Sequence, residues 1–477
     1  MVFSGITFLY YFLPCVLLAY FLIGKIARKK GSSSVPQNVV LLFASLFFYA
    51  WGEPVYVVLM LLTILTGYGA GILLEKTMVN PIGPVTPKVV LTGAVGLFTG
   101  VFVIFKYTDF MIANVNAATG ADIPLRHIVL PIGISFYTFQ MISYLVDVYR
   151  KEVPAQRSFI SLALYISMFP QLIAGPIVRY ADVAEQIRSR KSSWENVESG
   201  MTRLIIGLSK KVLLANELGR LCELYKQTTE PSVLYAWLYA VAFCLHIYFD
   251  FSGYSDMAIG LGRIFGFKFP ENFNYPYISS SITEFWRRWH MSLGSWFRDY
   301  LYIPLGGNRV SRVKWYRNIF IVWLFTGFWH GASWNFVIWG LYFGVLLVIE
   351  KNWLLPVLKR AKVLNHIYVL LLLLISFVIF NAADPGMAWT DIGNLFGFGN
   401  IPLYSTEAGY YMDSFSLLLL AAVIGCTPVM RKIGEWISKR FIKPALVGKI
   451  ILLLLLLILS TSYLVDGSFN PFLYFRF

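Results

Sequence analysis

The chain has 477 residues, of which 57% are hydrophobic, 17% aromatic and only 14% charged. A soluble protein of this length would form two or three domains, whereas this composition, with a mean hydropathy of +0.65, is that of a polytopic membrane protein. The formal net charge of +15 is therefore assigned to basic cytoplasmic loops and to contacts with membrane lipids, and not to nucleic-acid binding. An uninterrupted leucine run at 452–457 excludes a β-barrel.

The expected fold class is an all-α polytopic integral membrane protein, with a single membrane domain over residues 1–477 and no soluble domain. Apolar stretches long enough, or nearly so, to cross about 30 Å of hydrocarbon as helices lie at 5–24, 88–105, 365–380 and 448–465. By length and by the spacing of basic loops we expect about 10–12 membrane-embedded helical segments. The four cysteines are dispersed, without CxxC spacing or a nearby set of histidine ligands, so we expect no disulfide framework and no metal site.

The distribution of basic residues orients the first third of the chain. No basic segment precedes the first apolar stretch, and basic residues follow it from Lys25, so we expect a retained helix with the amino terminus outside. We then expect a cytoplasmic loop at 25–38 and a two-helix hairpin at 39–51 and 55–73. An outward helix at 88–105, an external segment at 107–126 and an inward helix at 128–147 are expected to follow.

The middle of the chain is less regular. Residues 158–178 are apolar but interrupted by Pro170 and Gly175 and flanked by arginines, a pattern that indicates a re-entrant element. The basic stretch 198–225 is expected to be an interfacial helix, and 232–250 is expected to span the membrane.

In the last third of the chain, apolar segments again alternate clearly with connecting segments of different charge. A helix at 364–381 is expected to run outward to residues 383–412, which contain no Lys or Arg. Residues 414–430 return to a strongly basic loop at 431–449, and 450–465 cross outward again. Both termini are therefore expected on the extracytoplasmic side of a multi-pass cell-membrane protein.

The central stretch 316–350 is apolar enough for membrane but carries His330 at its middle. Basic residues flank it over 309–317 and 351–362, so both of its ends are expected to be cytoplasmic. Each limb of such a hairpin has about 15 residues, roughly 22 Å at helical rise, and reaches beyond the membrane midplane. His330 is thus predicted at the tip of a buried hairpin, where an ionisable side chain indicates a functional site.

Two interpretations of His330 stay open on this pattern. It is either a buried histidine bonded to a backbone carbonyl or a general base, because a desolvated neutral imidazole accepts a proton near physiological pH. Ser333 and Asn335 are close enough in sequence to orient the imidazole or an acyl oxygen. A helix-packing hydrogen bond is the simpler role for Asn335.

A second tryptophan–histidine pair, Trp289 and His290, lies in the run 283–309. Aromatic residues alternate there with charged ones, which is typical of a membrane-interface helix. The run ends in a turn after Pro304, so lining a ligand entrance is the alternative role. Candidate tunnel residues for an acyl donor or acceptor are Arg287, Arg288, Trp289, Arg298, Asp299, Tyr300, Asn308, Trp329, Ser333 and Asn335.

Other catalytic patterns are missing from the sequence. There is no GxSxG, HExxH or P-loop spacing, so hydrolase, metalloprotease and NTPase functions receive no support. The segment GLGRIFG (260–266) does not follow a predicted strand, so it is not a dinucleotide-binding fingerprint.

Seven segments carry a family resemblance along most of the chain. They are MVFSGITFLYYFLP (1–14), LPIGISFYTFQMISYLVDVYR (130–150), FPQLIAGPIVRY (169–180), FDFSGYSDMAIGLGRIFGFKFPENFNYPY (249–277), EFWRRWHMSLGSWFRDYLYIPLGGNR (284–309), GFWHGASWNFVIWG (327–340) and NPFLYFRF (470–477). In these segments and their order the chain resembles the membrane-bound O-acyltransferase (MBOAT) family. Within the family it is similar to the membrane proteins of alginate and related polysaccharide O-acetylation.

The resemblance implies a helical bundle around a central funnel, with a core at approximately 130–350. It places the family's catalytic histidine at His330 and a second polar position at His290. It also implies acetyl transfer from a cytoplasmic thioester, acetyl-CoA or an acyl carrier protein, towards hydroxyls of an extracytoplasmic polysaccharide, with no permanently bound cofactor. A partner acetyltransferase outside the membrane is expected to pass the acetyl group on.

On this hypothesis His330 is the general base on the attacking hydroxyl. His290 positions the donor or stabilises the developing oxyanion, and arginines at 287, 288 and 298 bind the donor's phosphates. The alternatives are D-alanyl transfer to teichoic acid from an acyl carrier protein, a non-enzymatic glycan or lipid transporter, and a structural scaffold for polysaccharide export.

Overall fold

The computed structural model describes residues 1–29, 34–81, 83–467 and 470. The secondary structure of these residues is helical, and none of them forms a β-strand, which confirms the expected all-α architecture. The basic loop expected at 25–38 lies partly outside the described residues, and the motif at 470–477 lies almost wholly outside them.

The chain forms two compact units, the first from Met1–Leu204 and Ser255–Pro270 and the second from Ile205–Tyr254 and Glu271–Phe477. The single-domain organisation therefore stays a prediction. In chain order, the first helices are a π-helical turn (Thr7–Phe12), α1 (Leu13–Lys29), α2 (Val35–Gly52), α3 (Tyr56–Val79), α4 (Pro87–Thr119), α5 (Ile134–Tyr149), α6 (Phe159–Ser167), α7 (Phe169–Leu172), α8 (Tyr180–Arg188) and α9 (Trp194–Ser209).

The helices that follow include four more π- or 3₁₀-helical turns. They are a π turn (Lys210–Ala215), α10 (Asn216–Lys226), α11 (Val233–Ile264), a 3₁₀ turn (Pro276–Ile278), α12 (Ile282–Arg288), α13 (Met291–Phe297), a π turn (Arg298–Tyr302), α14 (Arg312–His330), α15 (Trp334–Ile349), a π turn (Glu350–Leu354), α16 (Leu355–Leu358), α17 (Leu364–Asn381), α18 (Pro385–Leu395), α19 (Thr406–Ser414), α20 (Ser416–Gly425), α21 (Val429–Arg440) and α22 (Ile442–Val465).

Among the described residues, eight helices are long and apolar enough to cross a membrane, and α19 with α20, bent by 56°, would make a ninth. The eight are Thr7–Ala27, α2, α3, α4, α11, Trp334–Leu358, α17 and α22. The protein is therefore a multi-pass membrane protein. The larger expected number of embedded segments included short or interrupted elements, such as the stretch at 158–178, which the structure divides into α6 and α7.

Several expected boundaries differ in the structure, among them the end of α11, which continues beyond 250 to Ile264. Helix α4 does not end at 105 but continues to Thr119, because no Gly or Pro interrupts 101–119 and the chain turns only at Gly120, whose φ is +70°. The segment 431–449, expected as a basic loop, forms most of α21 and the first turns of α22. Its apolar residues recur at helical spacing between the basic ones, and this pattern favours a helix.

The second unit contains the hairpin predicted around His330. This residue ends α14, the backbone is non-helical over 331–333, and α15 starts at Trp334. The two helices cross closely, because a Cβ atom on Gly327 would lie 2.4 Å from the Phe336 carbonyl oxygen and one on Gly340 would lie 2.3 Å from the Trp323 carbonyl oxygen.

Candidate active site

His330 lies in an aromatic pocket at the end of α14 and is 8% exposed. Its ring makes T-shaped contacts with Trp339 and Phe380, with ring centroids 5.0 and 5.4 Å apart. Trp329, the preceding residue, lies 4.9 Å from it. These rings hold the imidazole in a low-dielectric environment, in which a neutral imidazole is favoured over its cation.

His290 lies between α12 and α13, and it is 2% exposed. Its backbone is left-handed, with φ +42° and ψ +52°, a conformation that costs a non-glycine residue about 1–3 kcal/mol and is often found at functional sites. The Phe251 ring of α11 packs edge-on against the imidazole at 4.6 Å. This burial lowers the pKa of His290 to about 3, so the imidazole is neutral at physiological pH.

The hydrogen bonds of His290 assign its tautomer. Its Nδ1 lies 3.0 Å from Asn272 Oδ1, and the same oxygen accepts from the backbone N–H of Ser292 at 3.4 Å and from its hydroxyl at 2.9 Å. A backbone N–H only donates, so the Asn272 atom at this point is the amide oxygen and His290 Nδ1–H is the donor. The other ring nitrogen, Nε2, then carries a lone pair, and it is buried without a partner among the described residues.

The backbone around His290 is tied down on both sides. Met291 N–H donates to the Asn272 carbonyl at 3.0 Å, and Asn274 N–H donates to the Arg288 carbonyl at 2.9 Å. At the start of α12, the fully buried Glu350 carboxylate accepts from Ile282 N–H at 2.6 Å and from Thr283 N–H at 2.8 Å. These contacts fix the entry to α12 and the segment that carries His290.

Trp329 brings the two histidines into one site. Its ring lies 5.9 Å from that of His290 and 4.9 Å from that of His330. The two imidazoles are therefore no farther apart than the sum of these distances. A ligand bound along Trp329 could contact both.

A cavity of about 580 Å³ opens beside His290 within the second unit. Arg287, Arg298 and Lys351 line it, as do Trp286, Tyr302 and Thr326. No Asp or Glu is among the described lining residues, and neither are His330, Trp329, Ser333 and Asn335. The charged lining residues are therefore all cationic, and although Asp299 offsets the charge of Arg298, the lining suits an anionic ligand.

Several predicted tunnel residues have structural contacts instead. Arg288 bonds Glu284, with 2.8 Å between Nη2 and Oε1, and Trp289 packs in the core, 5.1 Å from Phe273 and 5.4 Å from Phe285.

The remaining candidates lie near the turn after α13 or at the ends of helices. Asp299 pairs with Arg298 at 2.6 Å, Tyr300 stacks near Trp296 at 5.2 Å, and Asn308 accepts from the Tyr302 hydroxyl. Asn335 donates to the Ala382 carbonyl at 2.8 Å, the helix-packing bond that the sequence favours, and Ser333 is the residue before α15.

Sequence reasoning missed Asn272, Ser292, Glu350 and Lys351. Asn272 is 18 residues from His290, in a loop without a periodic pattern, so no spacing rule connects them. Glu350 and Lys351 were visible only as charges at the end of an apolar stretch. Among the described residues no group of three or more His, Cys, Asp or Glu could hold a metal ion.

Comparisons with known proteins place the chain in a family. The family model "MBOAT, membrane-bound O-acyltransferase family" matches residues 6–359. A probable alginate O-acetylase AlgI of Azotobacter vinelandii is 40% identical, over 89% of this chain and 84% of the relative. A peptidoglycan O-acetyltransferase of Helicobacter pylori is 34% identical over 87% and 83%. A teichoic acid D-alanyltransferase of Bacillus subtilis is 30% identical over 47% of this chain and 60% of the relative.

Proposed function

The chain belongs to the membrane-bound O-acyltransferase family and is an O-acyltransferase, and from this premise we propose that it moves an acetyl group from a cytoplasmic thioester, acetyl-CoA, towards hydroxyls of an extracytoplasmic polysaccharide. The observation that carries the proposal is the cavity beside His290, whose charged lining residues are Arg287, Arg298 and Lys351. Guanidinium and ammonium groups pair with phosphate. The nucleotide end of acetyl-CoA supplies such phosphates.

The relatives favour an acetyl over a D-alanyl group. The similarity to the alginate O-acetylase covers 84% of that protein at 40% identity, whereas the similarity to the D-alanyltransferase covers 60% of that protein at 30% identity. The cationic lining is assigned to the phosphate end of the donor and not to its acyl group, so it does not separate the two donors. The acyl-carrier alternative is therefore the weaker one on similarity alone.

The chemistry assigned to His330 is general-base catalysis. The acceptor hydroxyl oxygen attacks the thioester carbonyl carbon, its proton passes to the imidazole of His330, and the C–S bond breaks. The imidazolium of His330 then returns this proton to the departing thiolate, which leaves as the thiol. The aromatic surroundings of His330 support this role, because they exclude water from the imidazole.

The role assigned to His290 is to position the donor. Its Nε2 carries a lone pair in the resting tautomer, so it accepts hydrogen bonds, and donation to an oxyanion would require protonation first. Of the two roles that the sequence suggested, donor positioning therefore has the better support.

The proposed orientation in the membrane follows from the distribution of basic residues. The basic segments at 309–317, 351–362 and 431–449 support a cytoplasmic donor side with both termini outside. An acetyltransferase partner outside the membrane is proposed to receive the acetyl group. The transporter and scaffold alternatives are set aside, because the chain is an O-acyltransferase.

The test is surface-glycan acetylation in a deletion strain that carries wild type or His330→Ala at matched membrane levels. Loss of a general base is expected to lower acetyl transfer by about 10²–10⁴-fold. His127→Ala, which changes an exposed histidine of the first unit, is the matched control and should keep normal acetylation. Normal acetylation with His330→Ala would move the base to another residue.

A further inference from the structure

Hydrogen bonds to the backbone and to the side chain of Asn272 hold its amide against His290. Its own backbone carbonyl accepts from Met291 N–H at 3.0 Å, so the main chains on either side of the bond are tied together. Its side-chain oxygen receives three donors, His290 Nδ1 at 3.0 Å and the hydroxyl and N–H of Ser292 at 2.9 and 3.4 Å. Asn272 and His290 are 1% and 2% exposed, so water does not compete for this bond.

The arrangement selects one of the two neutral tautomers. An imidazole with its proton on Nδ1 satisfies the Asn272 oxygen, whereas a proton on Nε2 would place two lone pairs against each other. The cost of that second arrangement is high in a buried site. The left-handed backbone of His290, at φ +42°, also costs free energy, and the contacts around the residue hold it in this conformation.

The remaining nitrogen has no protein partner but adjoins the cavity. His290 is one of the lining residues, and its Nε2 is buried with no hydrogen-bond partner among the described residues. A buried lone pair of this kind is normally satisfied. An N–H or O–H group of a bound ligand supplies the missing donor.

We infer that Asn272 is a positioning residue of the acyl-transfer site, which fixes His290 in the Nδ1–H tautomer so that Nε2 accepts a hydrogen bond from an amide N–H in the pantetheine arm of the thioester. The identity of the ligand rests on the proposed function, whereas the tautomer does not. Ser292 assists by holding the Asn272 oxygen in place. This role is distinct from catalysis, because Asn272 acts only through His290.

The direct test is nitrogen NMR of the full-length protein in lipid bilayers, with ¹⁵N-labelled histidine. The chain has only five histidines, and His290→Ala assigns the resonances of His290. The expected spectrum shows a protonated Nδ1 and an unprotonated Nε2, with the Nε2 resonance moving when acetyl-CoA is added. A protonated Nε2 in the resting protein would overturn the inference, whatever the activity of the His330 variant.

The second test is Asn272→Asp, which keeps the shape and the accepting oxygen but adds a negative charge. A carboxylate at hydrogen-bond distance stabilises the imidazolium and so raises the pKa of His290, by about 1–3 units. The pH at which the ¹⁵N resonances of His290 titrate is therefore expected to move upward by a similar amount. This readout belongs to His290 alone, whereas the pH dependence of acetyl transfer also reports the proposed base, His330.

The charged residues that line the cavity with His290, which are Arg287, Arg298 and Lys351, are the same in the wild type and in Asn272→Asp and do not produce the shift. Asn274→Asp is the matched control, because it adds the same charge two residues away on an exposed side chain, and it should leave the titration of His290 in place. An unmoved titration of His290 in Asn272→Asp would show that Asn272 is only structural.

Discussion

At the scale of single residues, the two histidines differ in their surroundings. His330 is enclosed by aromatic rings at the end of a helix, whereas His290 is held by an amide and adjoins a basic cavity. Environments this different assign different tasks to the same side chain. The proposed base and the proposed donor-positioning group are thus separate residues, and Trp329 contacts both.

Arg287 and Arg288 are neighbours on α12 with different surroundings, and they provide a matched pair for a test of donor binding. Arg287 lines the cavity, and Arg288 bonds Glu284. A charge-assisted hydrogen bond to phosphate is worth about 1.5–3 kcal/mol, so Arg287→Ala is expected to raise the KM for acetyl-CoA by about 10–100-fold with little change in kcat. Steady-state kinetics with purified protein in lipid measure this.

Arg288→Ala is the control for that measurement. Because Arg288 does not line the cavity, the KM for acetyl-CoA of this variant should stay within about twofold of the wild-type value. An equal rise in KM for both variants would indicate a general disturbance of α12. No rise for Arg287→Ala would place the donor phosphates elsewhere.

At the scale of helices, the site depends on how closely α14 and α15 approach. Gly327 and Gly340 allow the backbones to touch, and Trp286 of α12 packs against Trp323 of α14 at 4.7 Å and Phe343 of α15 at 4.9 Å. Small residues at a crossing and aromatic residues around it are a common way to hold membrane helices together. The position of His330 at the end of α14 follows from this crossing.

Gly340→Ala is expected to force the two helices apart, because the new Cβ would lie 2.3 Å from a backbone oxygen that cannot move alone. Overpacking of this kind costs about 1–3 kcal/mol. We expect a lower Tm in detergent and reduced acetyl transfer.

Gly96→Ala in α4 is the comparison variant for Gly340→Ala, since its Cβ would meet nothing within 4 Å, and it should keep both Tm and activity. An unchanged Tm for Gly340→Ala would mean that the α14–α15 crossing relaxes at no cost.

At the scale of the whole molecule, charge distribution orients the protein. Residues 383–412 contain no Lys or Arg, whereas 431–449 are strongly basic, and α17, the α19–α20 pair and α22 connect or flank these segments. The basic side is expected in the cytoplasm. Under the proposed function, this orientation would put the acyl donor and the acceptor on opposite faces of the membrane.

Cysteine labelling of intact cells tests the orientation. In a Cys15→Ser background, where the other native cysteines are buried, Met387→Cys should react with a membrane-impermeant maleimide, whereas Ser438→Cys should react only after the cells are permeabilised. Both introduced positions are exposed, so access to the reagent decides the result. The reverse pattern would invert the proposed topology.

Most of the helical architecture could be predicted from the sequence, because hydropathy and helical length are local properties. The span expected at 364–381 coincides with α17, and His330 ends α14 at the predicted hairpin break. The end of α4 could not be placed, since hydropathy falls near 105 while nothing in the backbone stops the helix before Gly120.

The sequence by itself determined the membrane class, the helical fold, the family resemblance and the two histidines, since composition, periodicity and short motifs are written along the chain. Only the tertiary structure decided that Arg287 lines the cavity while Arg288 pairs with Glu284, and that the Asn272 amide lies within hydrogen-bond distance of His290 Nδ1. Such contacts join residues across loops and depend on the direction in which each side chain leaves its helix. That direction is set by packing, and no one-dimensional pattern contains it.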